Sequence, residues 1–178
     1  PVTRSIVNKQ QLSDLLSKTG IGKSTTIVLY GDFNNWFAAY AFWILKYYGH
    51  EDVKIMNGGR KKWIDEDRDL TLDIPNTDQT DYIAEEPDES LRAYFTEIKD
   101  GLKDQGHTLV DVRSPAEFSG EVLAPPEYPT EMAQRGGHIP AANNVPWASA
   151  VNEDGTFKTF EELQQIYQPK GITEEKDI

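Results

Sequence analysis

The sequence predicts an α/β protein with a parallel sheet flanked by helices, built from two incomplete units. Three observations support this fold class. Short β-branched runs alternate with helical patterns, turns rich in Gly or Asn separate them, and a polar stretch divides the chain into two such series. Strands that alternate with helices along a chain pair in parallel through right-handed crossovers. We therefore expect a parallel sheet in each unit.

The first unit, residues 1–67, is expected to begin with an amphipathic helix over residues 8–19. The compact β-branched run over residues 25–30 predicts a buried strand. A second strand is expected over residues 53–56, and a Gly-containing turn then leads into a helix over residues 60–66. This order of elements is typical of one α/β unit.

A helix between the two strands is the most apolar segment of the chain. It begins at Trp36, and Gly49 is expected to end it. Either Asn34 or Asn35 can serve as its N-cap. Because the segment is apolar nearly all round, we expect this helix to be deeply buried.

Residues 68–91 differ from the rest of the chain. They are rich in Asp, Glu, Pro, Asn and Thr and poor in aliphatic residues. We interpret this stretch as a surface linker between the two units.

The second unit, residues 92–178, shows the same alternation. The expected elements are a strand over residues 93–95, a helix from Thr96 to near Gly106, a strand over residues 109–112, a short helix after Ser114-Pro115, a polar loop over residues 120–136, a strand at residues 144–145 and a helix over residues 160–167. Thr159 and Glu162 are placed to form a capping box on the last helix. A further strand would be expected after Ile178, so the unit reads as half finished.

The composition limits the classes of function. The 178 residues carry 18 basic and 30 acidic side chains, a formal net charge of −12. Such a surface repels nucleic acid and anionic lipid, so we expect neither as a partner. No run of about 18 apolar residues is present, and no membrane span is expected. The sequence contains no Cys and no metal-ligand spacing of His, so we expect no metal or cofactor and take the cytoplasm as the default location.

Two motifs of the second unit carry candidate site residues. The first, DVRSPAEFSG, begins at Asp111, and the second, RGGHIPAANNVPW, begins at Arg135. Asp111 and Arg113 fall at the carboxyl end of a predicted parallel strand, where open α/β sheets place their ligand sites. Arg113 can pair with Asp111 or Glu117, or bind an anion. A purely structural ion pair remains the alternative for these residues.

Together these motifs resemble the rhodanese family of sulfurtransferases. The first matches the family element D-x-R-x-x-x-E-[FY]-x-G, and the second matches G-H-I-P-G-A-x-[NH], with Ala141 in place of the usual Gly. The turn Asn57-Gly58-Gly59-Arg60 and Trp63 resemble the element D-G-G-x-x-x-W. The first unit resembles the late half of the silent N-terminal domain of tandem rhodaneses. The second resembles the early half of their catalytic domain.

The resemblance implies a mechanism that depends on a cysteine. In rhodaneses a Cys at the start of a six-residue loop takes a sulfane sulfur from an anionic donor, often thiosulfate, and forms a persulfide. A thiophilic acceptor such as cyanide then removes the sulfur. In the first unit the corresponding silent-site loop has Gly31 or Asp32 at the Cys position, followed by Asn34 and Asn35. In the second unit the catalytic loop would follow Ile178.

We therefore expect no catalytic residue in this chain and no turnover by it alone. The candidate residues for the rim or support of the active site are Asp111, Arg113, Glu117, Arg135 and His138. The resemblance implies an Arg at the position of Glu117 in some thiosulfate and mercaptopyruvate enzymes, so the donor specificity stays open.

Three functions are compatible with the sequence. The first is a piece of a thiosulfate sulfurtransferase, the second is a 3-mercaptopyruvate sulfurtransferase, and the third is a non-catalytic rhodanese-like binding module. The implied partners are a small anionic sulfur donor and a thiophilic acceptor. Each half-domain should expose a sheet edge and an apolar face, so self-association through these faces is also expected, within one chain or between chains.

Overall fold

The computed structural model describes residues 5–102, 106–125, 128, 133–176 and 178. It divides into two compact units. Unit 1 comprises Pro1–Ala93 with Asp154–Thr156, and unit 2 comprises Tyr94–Glu153 with Phe157–Ile178. Helices and parallel strands occur in both units, so the predicted α/β class is confirmed.

Unit 1 contains a two-stranded parallel sheet and three helices. Its elements are α1 (Lys9–Lys18), β1 (Ile27–Leu29), α2 (Trp36–Tyr47), β2 (Val53–Ile55), α3 (Gly59–Asp65) and a 3₁₀ turn (Glu89–Leu91). β1 pairs in parallel with β2, and Ile27 lies opposite Val53. The predicted order and the parallel pairing are therefore confirmed for this unit.

The start of α1 is fixed by a capping box. The Asn8 side chain accepts a hydrogen bond from the Gln11 N–H, and the Gln11 side chain accepts one from the Asn8 N–H, both at 2.9 Å. These bonds satisfy two backbone donors that would otherwise be free at the helix end. Leu12 and Leu16, one turn apart, are buried in the core of unit 1.

The predicted deep burial of β1 and α2 is wrong for one face of each element. Ile44 and Leu45 are buried, but Trp36, Phe37 and Tyr40 of α2 are about half exposed. The β1 residue Val28 is 54% exposed. The sheet of unit 1 has only two strands among the described residues, so it cannot cover all the apolar surface of the helix.

Part of the predicted surface linker is buried. Tyr82 is 3% exposed and Ala84 is fully buried, and both belong to the core of unit 1. The Ser17 hydroxyl accepts a hydrogen bond from the Tyr82 N–H at 2.9 Å, and the Ser13 hydroxyl accepts one from the Ala84 N–H at 3.0 Å. The hydroxyl groups of two serines of α1 therefore accept the backbone hydrogen bonds that a neighbouring strand would accept in a sheet.

Unit 2 has a second two-stranded parallel sheet. Its elements are α4 (Phe95–Gly101), β3 (Val110–Asp111), α5 (Pro115–Ser119), β4 (Asn143–Asn144), a 3₁₀ turn (Trp147–Ala150), α6 (Phe160–Tyr167) and a second 3₁₀ turn (Gln168–Lys170). β3 pairs in parallel with β4, and Val110 lies opposite Asn143. None of the helices in the described residues of either unit is long and apolar enough to cross a membrane.

The beginning of unit 2 differs from the prediction. The expected strand over residues 93–95 is absent, since Phe95 is already the first residue of α4. The N-cap is Tyr94, not Thr96, and the Glu97 carboxylate accepts a hydrogen bond from the Tyr94 N–H at 2.7 Å. The helix ends at Gly101, earlier than expected. Residues 103–105 of the predicted helix, and residues 126, 127 and 129–132 of the predicted polar loop, lie outside the described residues.

Two helices of unit 2 have the N-terminal caps that the sequence predicted. Ser114 caps α5 with Pro115 at the first helical position. Thr159 and Glu162 form the expected capping box on α6, which spans the predicted residues 160–167. The strand predicted at residues 144–145 is shifted by one residue, to 143–144, and the strand predicted over 109–112 is reduced to its central pair.

Candidate functional site

The site residues of unit 2 are centred on an ion pair at the carboxyl end of β3. The Arg113 Nε lies 3.0 Å from Asp111 Oδ1, and one terminal guanidinium nitrogen lies 2.6 Å from Asp111 Oδ2. The backbone N–H of Arg113 donates to the same carboxylate at 3.0 Å. Asp111 therefore holds Arg113 in a two-point geometry in which both charged groups are satisfied.

This ion pair changes the electrostatics of both groups. The hydrogen bonds and positive charge of Arg113 hold the pKa of Asp111 below its usual range, against a smaller opposing effect of burial. The same bonds raise the pKa of Arg113. The carboxylate therefore stays ionised and largely neutralises the guanidinium, which leaves Arg113 poorly suited to hold a free anion by itself.

Further hydrogen bonds connect the pair to a neighbouring loop and strand. The Arg113 guanidinium donates to the Gly137 carbonyl at 2.9 Å. The Asn144 amide of β4 donates to the carbonyls of Asp111 at 3.0 Å and Arg113 at 2.8 Å. The pair thus fixes where the GHIP loop runs relative to the strand end. Asn144 was not among the predicted site residues, although it stands at the last position of the family element G-H-I-P-G-A-x-[NH].

The Glu117 carboxylate is hydrogen-bonded to Ser114 at the start of α5. Its carboxylate accepts hydrogen bonds from the Ser114 N–H at 3.1 Å and from the Ser114 hydroxyl at 2.7 Å, and its side chain is buried. Of the two partners considered for Arg113, the structure selects Asp111. Glu117 supports the helix start that follows the strand.

His138 and Arg135 lie on the surface of the same loop. The His138 ring stacks on Phe118, with ring centroids 3.6 Å apart and 7° between the planes. His138 Nδ1 lies 2.8 Å from the Phe118 carbonyl, so this nitrogen carries the proton and donates. Arg135 is exposed, and within the described part of unit 2 no hydrogen bond or ion pair joins it to the other four predicted residues.

The silent-site loop of unit 1 follows β1 and is braced by Asn35. The Asn35 side-chain oxygen accepts a hydrogen bond from the Gly31 N–H at 3.0 Å, and its nitrogen donates to the Met56 carbonyl at 2.8 Å. Asn35 is fully buried and stands at the N-cap position of α2, but its side chain caps no helical N–H. The residue predicted as a cap instead ties the loop to the end of β2.

The backbone of this loop is unusual. Phe33, Asn34 and Asn35 are three consecutive residues in the left-handed region, with φ of 51°, 56° and 63°. Gly59 packs against Asn35 and Gly31: a Cβ on Gly59 would lie 2.6 Å from the Asn35 side-chain oxygen and 2.7 Å from the Gly31 carbonyl. The loop keeps its shape because Gly59 has no side chain.

The chemistry available at this loop is limited. Arg60 donates to the Asp32 carboxylate at 3.2 Å, and its backbone N–H donates to the Gly31 carbonyl at 3.2 Å. Neither Gly31 nor Asp32 can act as a sulfur nucleophile, and the sequence of 178 residues contains no cysteine. The silent-site loop of unit 1 and the strand end of unit 2 therefore each contain an ion pair and backbone groups held by hydrogen bonds. Neither contains a thiol. No group of three or more His, Asp or Glu side chains in the described residues is placed to hold a metal ion.

Comparison with known proteins identifies the family. The model of the rhodanese-like domain family matches residues 3–66 and 95–178. The chain therefore belongs to the rhodanese-like domain family, as its motifs predicted. Two matched segments in one chain also agree with a tandem arrangement.

The chain is similar to proteins named for sulfur transfer. It is 51% identical over 181 residues to "Sulfur carrier protein TtuD" of Thermus thermophilus, covering 100% of this chain and 64% of the relative. It is 54% identical over 176 residues to a Saccharopolyspora erythraea protein named "Putative thiosulfate sulfurtransferase", covering 99% of this chain and 62% of that protein. The chain thus spans somewhat less than two thirds of the length of the curated relatives that it matches.

Solved structures show the same fold. The wild-type structure of EanB superimposes with a TM-score of 0.81 and 28% identity, covering 96% of this chain and 44% of that one. The crystal structure of SseA from Escherichia coli, described for the "Rhodanese" fold and catalytic mechanism of 3-mercaptopyruvate sulfotransferases, gives 0.78 and 27%, covering 93% and 59%. The rhodanese-like fold predicted from the sequence is confirmed.

Proposed function

We propose that this chain is part of a thiosulfate sulfurtransferase that moves a sulfane sulfur to a thiophilic acceptor such as cyanide. The observation that carries the proposal is identity above 50%, over nearly the whole chain, to proteins named as a sulfur carrier and as a thiosulfate sulfurtransferase. The ion-paired strand end of unit 2 supports it, because open α/β sheets bind ligands at that edge.

The proposed reaction has two balanced steps. A cysteine thiolate attacks the outer sulfur of thiosulfate, the S–S bond breaks, and sulfite leaves with the electron pair. Cyanide then attacks the outer sulfur of the resulting persulfide, thiocyanate leaves, and the thiolate is restored. No external oxidant or reductant is consumed.

The part of this chain in that reaction is positioning. Because its 178 residues contain no cysteine, the thiolate would be supplied by polypeptide outside them. Asp111 and Arg113 would hold the GHIP loop at the edge of the active site through the Gly137 carbonyl. Asp32, in the silent-site loop of unit 1, would repel an anionic donor there.

Two other functions each rest on a specific observation. The similarity to SseA supports 3-mercaptopyruvate as the sulfur donor, with pyruvate as the product. The absence of cysteine supports a non-catalytic rhodanese-like binding module. The thiosulfate reaction has the stronger support, because the relatives with that name are about twice as similar in sequence as SseA.

A thiosulfate:cyanide assay on this chain tests the placement of the nucleophile. We expect thiocyanate formation no faster than in buffer. Measurable turnover would contradict the proposal that the reacting sulfur nucleophile lies outside these residues.

A fusion protein tests the proposed activity itself. The residues of the Saccharopolyspora erythraea relative that lie outside the aligned region are joined to this chain, and a matched control carries Ser at each Cys. We expect the fusion, and not its control, to form thiocyanate from thiosulfate faster than pyruvate from 3-mercaptopyruvate. The reverse preference would favour the mercaptopyruvate enzyme, and a folded fusion that is inactive with both donors would favour the binding module.

A further inference from the structure

His50 is a fully buried histidine of unit 1, and the proposed reaction does not use it. Its ring lies between two partners: Nε2 is 2.9 Å from the Thr25 carbonyl, and Nδ1 is 3.1 Å from the Tyr82 hydroxyl. Because a carbonyl oxygen can only accept, we assign the ring proton to Nε2, which leaves Nδ1 to accept from the Tyr82 hydroxyl. The neutral ring therefore satisfies both partners.

A second proton on the ring would disturb this arrangement. With protons on both nitrogens the ring can only donate, so the Tyr82 hydroxyl would have to turn and accept from Nδ1. The hydroxyl proton would then need a new acceptor, and among the described residues this hydroxyl has a hydrogen bond with His50 alone. Burial raises the pKa of Tyr82, so the phenol keeps its proton at neutral and acidic pH. Placing a charge on a ring enclosed in the core also removes a cation from water, which is costly.

The charged groups around the imidazole offset this cost only in part. Asp52 attracts a positive charge on the ring, but its carboxylate is partly exposed and is shared with Lys54, 3.4 Å away. On the side of Tyr82, the Lys23 ammonium lies 5.2 Å from the centre of the phenol ring and 2.6 Å from a Glu85 carboxylate oxygen. A second positive charge would thus meet one carboxylate that is already paired and, next to Tyr82, another cation.

Tyr82 anchors an extended segment, residues 77–86, which we call the strap. The strap runs along α1, whose Ser13 and Ser17 hydroxyls bind its backbone. Tyr82 and Ala84 are its two buried side chains. The ion pairs between the strap and two lysines are exposed and contribute little to stability. The strap therefore has little apolar anchorage, and its attachment depends on how well Tyr82 is held.

The two ends of the strap are held differently. Before it, residues 70–74 lie outside every helix and strand, and Leu72 is fully exposed. After it, the Asp88 N–H donates to the Tyr47 carbonyl at the end of α2 at 2.8 Å. The strap can therefore leave α1 by turning about Asp88, without unfolding another helix or strand.

We propose that protonation of His50 releases the strap from α1, so that unit 1 contains a pH-sensitive latch. The closed strap holds the ring neutral, whereas release opens the ring to water and lets it take up a proton. Release therefore binds a proton and becomes more favourable as the pH falls. An imidazole in water takes up its proton at about pH 6.5, so the latch should respond to mildly acidic conditions.

Two acids near the ring and the strap titrate at lower pH. The hydrogen bond and charge of Lys23 hold the pKa of Glu85 below its usual range, and a hydrogen bond from Thr26 does the same for the pKa of Asp52. Both carboxylates therefore stay ionised above about pH 5. A change in the strap between about pH 7 and about pH 5 thus reports the imidazole and not these acids.

Hydrogen exchange of the full chain tests the proposal, with protection expressed relative to the unfolded chain at each pH. From about pH 7 to about pH 5 we expect the protection of the Tyr82 and Ala84 amides to fall about tenfold, because release takes up a proton. Amides in the middle of α2 should keep their protection. His50→Gln, which cannot titrate but keeps a donor and an acceptor, should have the same strap protection at both pH values. The matched control is His107→Gln, at an exposed position in unit 2, and it should behave as the parent.

NMR signals of the His50 ring provide a test that needs no substitution. While the strap amides are protected, we expect the ring to stay in its neutral form with the proton on Nε2. A doubly protonated ring beside a strap that is still protected would overturn the proposal. So would strap protection that does not change with pH, an equal pH effect in His50→Gln, or an equal loss of protection across α2, which would indicate acid unfolding of the whole unit.

Discussion

Arg113 makes contacts with three parts of unit 2: the Asp111 carboxylate, the Gly137 carbonyl and, through its own carbonyl, the Asn144 amide. With these partners, Arg113 connects β3, the GHIP loop and β4. An arginine that binds a free anion would instead have guanidinium N–H groups without a protein acceptor. At the residue scale, these contacts hold the loop against the strand end, so we expect the loss of Arg113 to lower stability first.

Replacing Asp111 tests this tie. Asp111→Asn should lower the free energy of unfolding by about 1–2 kcal/mol at pH 7, because Arg113 loses a charged two-point partner in a partly exposed site. The pKa of Asp111 is depressed in the folded state, so its contribution is complete above the unfolded pKa of about 3.9 and is lost as pH falls through the folded value. The difference between the two proteins in denaturant melts should thus be constant above about pH 5 and shrink in more acidic buffer.

The control for this prediction is Asp65→Asn, which removes an exposed ion pair with Lys61 on α3. It should change stability by no more than about 0.5 kcal/mol. Equal losses of stability in the two variants would mean that the Asp111–Arg113 pair stabilises the fold no more than an exposed ion pair does.

Gly59 offers a second test at the residue scale. Gly59→Ala should destabilise unit 1 by more than about 2 kcal/mol, because the new methyl group meets the Asn35 side chain and the Gly31 carbonyl at a residue with φ of 57°. Gly31→Ala is the matched control, since its Cβ would have no neighbour closer than 3.9 Å and its φ is not positive. Thermal melts that shift equally for both variants would contradict the described packing of the silent-site loop.

At the scale of elements, α1 does more than present an apolar stripe. Ser13 and Ser17 are buried, and they provide hydroxyl groups to an extended segment far along the chain. His50 adds two further contacts, with Nδ1 3.1 Å from the Tyr82 hydroxyl and Nε2 2.9 Å from the Thr25 carbonyl. A helix, a strand end and an extended segment are thus joined by side-chain bonds in place of a sheet ladder.

Removing one of these hydroxyls should loosen the segment. Ser17→Ala leaves the Tyr82 N–H without its buried acceptor, which should cost about 1–3 kcal/mol. Hydrogen exchange at Tyr82 and Ala84 should accelerate more than exchange within α2, because the segment can open without unfolding the helix. Ser24→Ala, at an exposed position, is the control and should change neither quantity. Unchanged exchange at Tyr82 in Ser17→Ala would argue against this anchoring.

The sequence predicted best the elements whose signals are local. The capping box of Thr159 and Glu162 and the Ser114-Pro115 start lie within four residues of the helices they define, and both were found. The role of Asn35 was missed because its partners, Gly31 and Met56, come together only in the folded unit. The half exposure of Trp36 and the burial of Tyr82 also depend on which tertiary partners are present, and periodicity carries no information on that. Among the candidate site residues, the sequence indicated that Asp111 or Glu117 could pair with Arg113. Only the folded structure shows that Asp111 does so, because Glu117 is bonded to Ser114.

At the scale of the whole molecule, charge is the dominant feature. A net charge of −12 on 178 residues favours the expanded unfolded chain, where the charges lie farther apart. Several exposed ion pairs oppose this effect weakly, among them Lys9–Glu86 and Lys23–Glu85. Self-repulsion should therefore set the response of the protein to salt.

Raising NaCl from about 10 mM to about 150 mM should increase the stability by about 1 kcal/mol, or the Tm by about 3 °C, as screening reduces the repulsion. A variant with Asp78→Asn and Asp81→Asn, which reduces the magnitude of the net charge from 12 to 10 by removing two exposed acids, should respond less. A Tm that falls with salt would show that the ion pairs outweigh the repulsion.

The stretch from Leu70 to Ile74 has one more consequence, for proteolysis. It is exposed and free of regular structure, and the chain on either side is held: Trp63 bonds the Asp69 carbonyl, and the Thr80 N–H donates to Ser17 at 3.0 Å. A protease that cuts there would leave two polypeptides that stay together and purify as one. Unit 1 should therefore tolerate a break between residues 70 and 74. The residues after the break could be supplied in trans as a synthetic peptide, and their return could be followed through the Tyr82–His50 contact.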